Sequence, residues 1–314
     1  MSGDPATLAV DLGGTHLRTA LFRGGRLGPV STAAHGACRE RPLAVDELAR
    51  LLVEAIGDAK VVGAGLSIAG TVDPWTGSVV VADNLGWEGV PLADCLCEAL
   101  GLPVRVETDT FCGAATEARL GGAERGTTLY VAIGTGIGHA WIFDGDVWRG
   151  ARAAATMFGH LVVEPGGRPC YCGARGCLCQ YAAGPAIDGL GGSTARGSRV
   201  TECDSSMERP SGNADPATAA ALERANDALA LAIAHALTLV NPDEVVLGGG
   251  AAMGAWPDLV DVSRRIETLV HPQVRPIRLR RSALGDAANL LGAALIASSD
   301  EGPERRPATR KEGA

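Results

Sequence analysis

His160, Cys170, Cys172 and Cys177 are four soft donors in one short segment, the three thiols lying inside Cys-Tyr-Cys-Gly-Ala-Arg-Gly-Cys. Zinc is bound tetrahedrally by neutral imidazole and thiolate, and a Cys-x-Cys pair with a third Cys after a glycine turn lets three sulfurs converge. Four protein ligands leave no open position. The expected centre is therefore closed and structural, and its effect is to make a loop rigid, together with whatever the loop carries.

A second chemistry is written near the start of the chain. Leu8-Ala9-Val10-Asp11-Leu12-Gly13-Gly14-Thr15 is an apolar strand running into an acidic, double-glycine turn. Glycines let backbone N–H groups approach a phosphate, Thr15 offers a hydroxyl, and Asp11 suits the Mg²⁺ that shields phosphate charge. Taken alone, such a turn is also found in ordinary hairpins. The design recurs, however: Leu129 to Ile133 runs into Gly134-Thr135-Gly136-Ile137-Gly138, and Val245-Val246-Leu247 ends in Gly248-Gly249-Gly250.

The elements that must hold these turns alternate between strand and helix. We expect a hairpin over Leu8–Gly28, a helix over Ala44–Ala59 and a strand over Val61–Ile68 ending in Ala69-Gly70. A helix over Leu92–Leu100 follows, then a short strand Val104–Val106 delivering Glu107-Thr108-Asp109, and a helix over Phe111–Leu120. A second α/β half begins near Thr127, contains the cysteine loop and includes a long Ala/Leu helix over Ala217–Leu239. The Gly/Ser/Arg/Pro stretch from Gly189 to Asp215 is expected as a surface loop and the residues after Ser298 as a tail. A last helix is expected to open near Gly285. The expected division is a small lobe of residues 1–120 with 285–314 and a large lobe of 121–284.

Composition narrows the function classes. The 314 residues are 46% hydrophobic but only 4% aromatic, so Ala, Val and Leu must fill the interior of a globular α/β protein. A net charge of −8 with both signs interspersed argues against nucleic acid or an anionic membrane as partner. The first residues have no basic flank or apolar run, so a cytoplasmic location is expected. Nine cysteines, three at metal spacing, argue against a disulfide framework. No Gly-x-Gly-x-x-Gly follows the first strand, which removes a dinucleotide-dependent oxidoreductase.

In order and type, these motifs resemble the ROK family of sugar kinases and sugar-responsive repressors, within the actin-like ATPase superfamily, over about residues 6–297. The resemblance implies a two-lobed, ribonuclease H-like α/β fold with a structural zinc loop. It implies that Asp11, Gly13, Gly14 and Thr15 form the first phosphate motif and Gly134, Thr135, Gly136 and Gly138 the second. Gly248, Gly249 and Gly250 would form the adenosine-side motif, and His160, Cys170, Cys172 and Cys177 would hold Zn²⁺. ATP with Mg²⁺ is then expected between the lobes. Asp109 matches the family's catalytic Asp, the base that accepts a proton as the acceptor's primary hydroxyl attacks; read without the family, it is first a turn or helix-capping residue at the start of the following helix. Asn84 and Gly70 match acceptor-side positions, although Asn before Leu-Gly is also common in turns. A homodimer is what the family suggests, and the repressor form is not expected, since Asp11 leaves no room for a DNA-binding module. A catalytically silent sugar-binding regulator is the remaining alternative, weighed against the retained Asp11, Asp109 and glycine turns.

Three positions depart from the family, all expected at the acceptor. Met157 stands where Glu-x-Gly-His has its carboxylate, Cys179 replaces the Glu of Gly-Cys-x-Glu, and Thr108 replaces the Asn before the catalytic Asp. A charged hydrogen bond to a sugar hydroxyl is worth roughly 1.5–3 kcal/mol, so losing two would weaken glucose by about a hundredfold or more. The sequence therefore resembles family members of antibiotic and inhibitor pathways, whose acceptors are amino sugars such as kanosamine or C7-cyclitols such as a valiolone. A C7-cyclitol is the first expectation, with glucose or an amino sugar as the alternative. His160 and Cys179 join Met157, Thr108, Asp109, Asn84 and Gly70 as expected acceptor-side residues; Cys179 is otherwise a spare thiol near zinc or a small buried filler.

Overall fold

Strand β1 (Ala6–Leu12) has apolar side chains on both faces, so it must be covered on both. Leu8, Val10 and Leu12 point into one core, while Ala9 and its cross-strand partner Ala20 pack against Leu290, Ala293 and Ala294 on the other side. The second face is lined by small residues because a helix lies close against it. A Cβ added to Gly65 would come within 1.9 Å of the Ala293 carbonyl, so only glycine fits there.

The computed structural model describes residues 5–38, 40–188, 216–254 and 256–298. The loop and tail expected over 189–215 and after Ser298 lie outside these residues. The chain divides into two compact units, one of Met1–Cys112 with Asn289–Ala314 and one of Gly113–Ala288.

In the first unit, β1 pairs antiparallel with β2 (His16–Arg23), which continues to β3 (Arg26–Leu27) and also carries β4 (Ser31–Ala34). Helix α1 (Val45–Ile56) leads to β5 (Val61–Ile68), parallel to β1. A small antiparallel sheet of β6 (Thr71–Asp73), β7 (Ser78–Ala82) and β8 (Trp87–Val90) precedes α2 (Leu92–Leu100) and β9 (Val104–Thr108), which is parallel to β5. The sheet order is β3-β2-β1-β5-β9.

Helix α3 (Asp109–Leu120) crosses the unit boundary. The second unit repeats the plan with β10 (Thr127–Ile133), β11 (Ile137–Phe143), β12 (Asp146–Trp148), the short helices α4 (Cys179–Ala182) and α5 (Gly184–Asp188), and α6 (Pro216–Val240). Then come β13 (Glu244–Gly248), α7 (Leu259–Leu269) and β14 (Leu279–Arg281), in the order β12-β11-β10-β13-β14. Here too the first strand is antiparallel to its hairpin partner and parallel to the next. Its core joins Leu129, Val131 and Ile133 to Leu229 and Ile233 of α6, and includes Cys177, Leu178 and Tyr181. The last helix, α8, spans Ala288–Ser298 after a 3-10 turn over Gly285–Ala287.

The strand over 61–68 and the helix over 92–100 lie where the sequence puts them, and other boundaries move. α1 stops at Ile56 because Gly57 turns to φ +52° and bonds back to Val53. β9 runs on to Thr108 because it stays paired with β5 as far as Ile68, and α3 therefore starts at Asp109. Among the described residues, no helix is long and apolar enough to cross a membrane.

Candidate active site

Parallel strands end their carboxyl termini side by side, which brings distant sequence positions together in the first unit. β1 delivers Asp11 and the turn Gly13-Gly14-Thr15, β5 delivers Ser67, and β9 delivers Thr108 and Asp109. Asp11 Oδ1 accepts the Ser67 hydroxyl at 3.0 Å, and its Oδ2 lies 3.9 Å from Arg18 on β2. Asn84 lies against the turn: a Cβ on Gly14 would be 2.8 Å from the Asn84 amide nitrogen. Gly70 follows β5 and packs on β7, where a Cβ would meet the Val81 carbonyl at 2.6 Å.

Asp109 opens α3, and its Oδ1 accepts the Thr110 N–H at 2.6 Å and the Thr110 hydroxyl at 3.1 Å. Both bonds fall on the same oxygen, and neither engages Oδ2. Burial, reinforced by the charge of Asp11 and only partly offset by Thr110, pushes the Asp109 carboxyl up from 3.8 to about 6. A base with that value is ionised at neutral pH yet still holds a proton well, which suits general-base catalysis.

In the second unit, Gly134, Thr135 and Gly136 form the β10–β11 turn, with Thr135 and Gly136 exposed and Gly138 within β11. The Gly134 carbonyl accepts the Gly184 N–H at 2.8 Å. Gly249 has φ +84°, and a Cβ there would strike Ile133, so this turn after β13 requires glycine; Gly250 is exposed. Gly248 is buried against the Tyr130 ring and serves packing.

The ligand atoms of His160, Cys170, Cys172 and Cys177 all lie within 4.8 Å of one another. The Cys172 and Cys177 sulfurs are 3.7 Å apart, and the Cys170 sulfur is 3.6 Å from His160 Nδ1. A tetrahedron with Zn–S of ~2.3 Å and Zn–N of ~2.05 Å has edges of about 3.8 and 3.6 Å, so these two pairs match zinc spacing and the donor set fits zinc in kind. The loop is anchored by backbone bonds from Val163 to Gly176 and from Leu178 to Leu161, and by the buried Cys177 and Leu178.

The ROK family profile matches residues 7–300. The chain belongs to the ROK family. It is 34% identical over 302 residues to a kanosamine kinase of Amycolatopsis mediterranei, covering 94% of this chain and 97% of the relative. A glucokinase of Halalkalibacterium halodurans is 28% identical, covering 94% and 95%. Among solved structures, a ROK family glucokinase from Streptomyces griseus in complex with glucose and AMPPNP superposes with a TM-score of 0.72 at 26% identity, covering 93% of this chain and 99% of that one. The fold is thus that of the ROK sugar kinases, within the actin-like ATPase superfamily.

Within this ROK chain, the positions that depart from the family pattern fall in different places. Met157 is 44% exposed at the start of a 3-10 turn, Met157–His160. Thr108, expected at the acceptor, is buried, and its Oγ1 accepts the Val72 N–H at 3.2 Å, tying β9 to β6. Cys179 is also buried, with its sulfur 3.7 Å from that of Cys170 and within reach of the Gln180 amide, so it faces the metal loop. The second nitrogen of His160, expected to reach the acceptor, is met instead by the Tyr171 hydroxyl at 3.1 Å.

Three supporting side chains went unseen in the sequence. Ser67 is hidden in an ordinary strand and identified only by its bond to Asp11. His139 on β11 accepts the Phe158 N–H at 3.2 Å and thereby fixes the turn carrying Met157; burial holds its ring down to about 4, so it stays neutral. His35 bonds the Gly13 carbonyl.

Proposed function

We propose that this ROK-family phosphotransferase transfers the γ-phosphoryl group of ATP to the exocyclic CH₂OH of a sugar-like ring, with Asp109 as the base. The observation that carries this reading is the Asp109 carboxyl at the head of α3, with one oxygen held by Thr110 and its proton affinity tuned near neutrality by burial and Asp11. As the hydroxyl oxygen attacks phosphorus, its proton passes to Asp109 Oδ2, the new P–O bond forms, and the bond to the β-phosphate oxygen breaks to leave ADP. The glycine turns after β1 and β10 hold phosphate through backbone N–H groups, and Gly249 and Gly250 serve the adenosine side. Asp11 would hold Mg²⁺, whose contribution is to neutralise phosphate charge. His160, Cys170, Cys172 and Cys177 would hold zinc, whose contribution is to order the loop.

The acceptor is proposed to be an amino hexose of the kanosamine kind. The kanosamine kinase relative supports it and moves it ahead of the C7-cyclitol expected first from sequence. Met157 supports the cyclitol as second reading, because an exposed thioether where the family has a carboxylate suits a ring with one fewer polar substituent on that side. Either acceptor would fit an enzyme of specialised, antibiotic-type metabolism.

ADP release with MgATP against glucose, mannose, N-acetylated and amino hexoses and C7-cyclitols tests this. An amino hexose or a cyclitol is expected to exceed glucose in kcat/KM by about a hundredfold, and Met157→Glu to raise glucose by roughly 10–100-fold. Glucose as the best acceptor of the wild type would refute the specificity.

A further inference from the structure

We propose that His35 is a positioning residue for the first phosphate turn, a latch whose neutral imidazole holds the Gly13 carbonyl and so aims the N–H groups that follow at the nucleotide. The inference rests on the phosphoryl-transfer reading above.

His35 follows β4 and touches the turn twice. Its backbone N–H donates to the Thr15 carbonyl at 3.3 Å, and its Nε2 lies 3.0 Å from the Gly13 carbonyl. The ring's other nitrogen, Nδ1, accepts the Ala37 N–H at 3.1 Å. An amide donates only to an unprotonated nitrogen, so the proton sits on Nε2, where the Gly13 carbonyl needs it. A trans peptide unit is planar, with its C=O and N–H pointing opposite ways. Holding the Gly13 and Thr15 carbonyls towards His35 therefore directs the N–H groups of Gly14 and His16 the other way.

The second unit supplies an independent parallel. Gly134 follows β10 as Gly13 follows β1, and each glycine N–H bonds within its own turn, to Gly136 and to His16 respectively. The Gly134 carbonyl is held as well, but by the backbone N–H of Gly184. The same carbonyl is thus latched in both units, and only the first latch can titrate.

Protonation would put an N–H on Nδ1 facing the Ala37 N–H, and the ring would lose that support. His16 on β2 opposes protonation and Glu47 on α1 favours it, while Arg41, before α1, lines a small cavity with His35 and Glu47. Burial outweighs the rest and holds the ring below its ordinary range. The latch is accordingly intact at neutral pH and is lost as pH falls through that lowered value.

Calorimetric titration of the full chain with MgADP, for wild type, His35→Phe and His35→Gln, tests the proposal. His35→Phe should weaken nucleotide binding by about tenfold while acceptor KM stays within about twofold. His35→Gln, whose amide can donate to the Gly13 carbonyl, should restore most of the affinity and lose the extra weakening expected of wild type as pH falls through the imidazole's lowered value. Unchanged affinity in His35→Phe, no rescue by Gln, or identical acid responses in wild type and the Gln variant would overturn it. Nucleotide binding reads the latch even where no acceptor turns over, an outcome that would count against the phosphoryl-transfer reading alone.

Discussion

Asp109→Asn is expected to lower turnover by about 10²–10⁴-fold, the usual worth of a positioned base, while leaving MgATP affinity within about twofold. An amide is nearly isosteric and can still accept from Thr110, but it cannot take the acceptor's proton. The same substitution should stabilise the nucleotide-free fold at neutral pH. The carboxyl rises from 3.8 to about 6 on folding, so its ionised form is disfavoured in the native state. Below 3.8 it is protonated in both states and costs nothing; the cost grows between 3.8 and about 6 and is complete above that. At full size it is on the order of 2–3 kcal/mol. Melting curves of wild type and Asp109→Asn should therefore meet near the lower of these pH values and separate above the higher, with the variant melting later. A variant that turns over normally, or melts earlier at neutral pH, would contradict the role given to this carboxyl.

The second large effect is expected at the cysteine loop. Cys172→Ser removes one thiolate from a set spaced for a tetrahedral ion, and metal affinity should fall by more than the roughly 10–100-fold typical of losing an outer-shell partner. Because the loop enters the core of its unit through Cys177 and Leu178, metal loss should also lower the melting temperature and loosen the turn that carries Met157. Metal analysis should find one zinc per wild-type chain and much less in the variant. Active wild type without zinc, or a Cys172→Ser protein that melts with wild type, would exclude a structural ion there.

Local signals in the sequence are legible where chemistry and backbone geometry coincide. The strand Val61–Ile68 and the helix Leu92–Leu100 are set by apolar period and flanking turns, and the structure has them with the same ends. The cluster of His160 with three cysteines is legible because their close spacing in the sequence brings the thiols together. Long-range partnerships are not. Nothing near Ser67 or His35 marks them as supports of Asp11 and Gly13, since β-sheet pairing and a distant loop return create those contacts. Arg280 is a further case: it joins Glu244 and Glu117, remote in sequence, in one ion-paired cluster of the second unit. The surroundings of Thr108 and Cys179 are likewise not legible locally: the first accepts the Val72 N–H and the second lies beside Cys170, both inside the fold.

If Asp109 takes the proton of the hydroxyl that attacks ATP, a crystal structure of the wild-type protein with its best acceptor and a non-hydrolysable ATP analogue will show the contact. An Asp109 carboxylate oxygen is expected about 2.6–3.2 Å from the acceptor's CH₂OH oxygen, with that oxygen in line with the γ-phosphorus. An acceptor whose CH₂OH is held by other groups, with Asp109 beyond hydrogen-bond reach of it, would rule out Asp109 as the base.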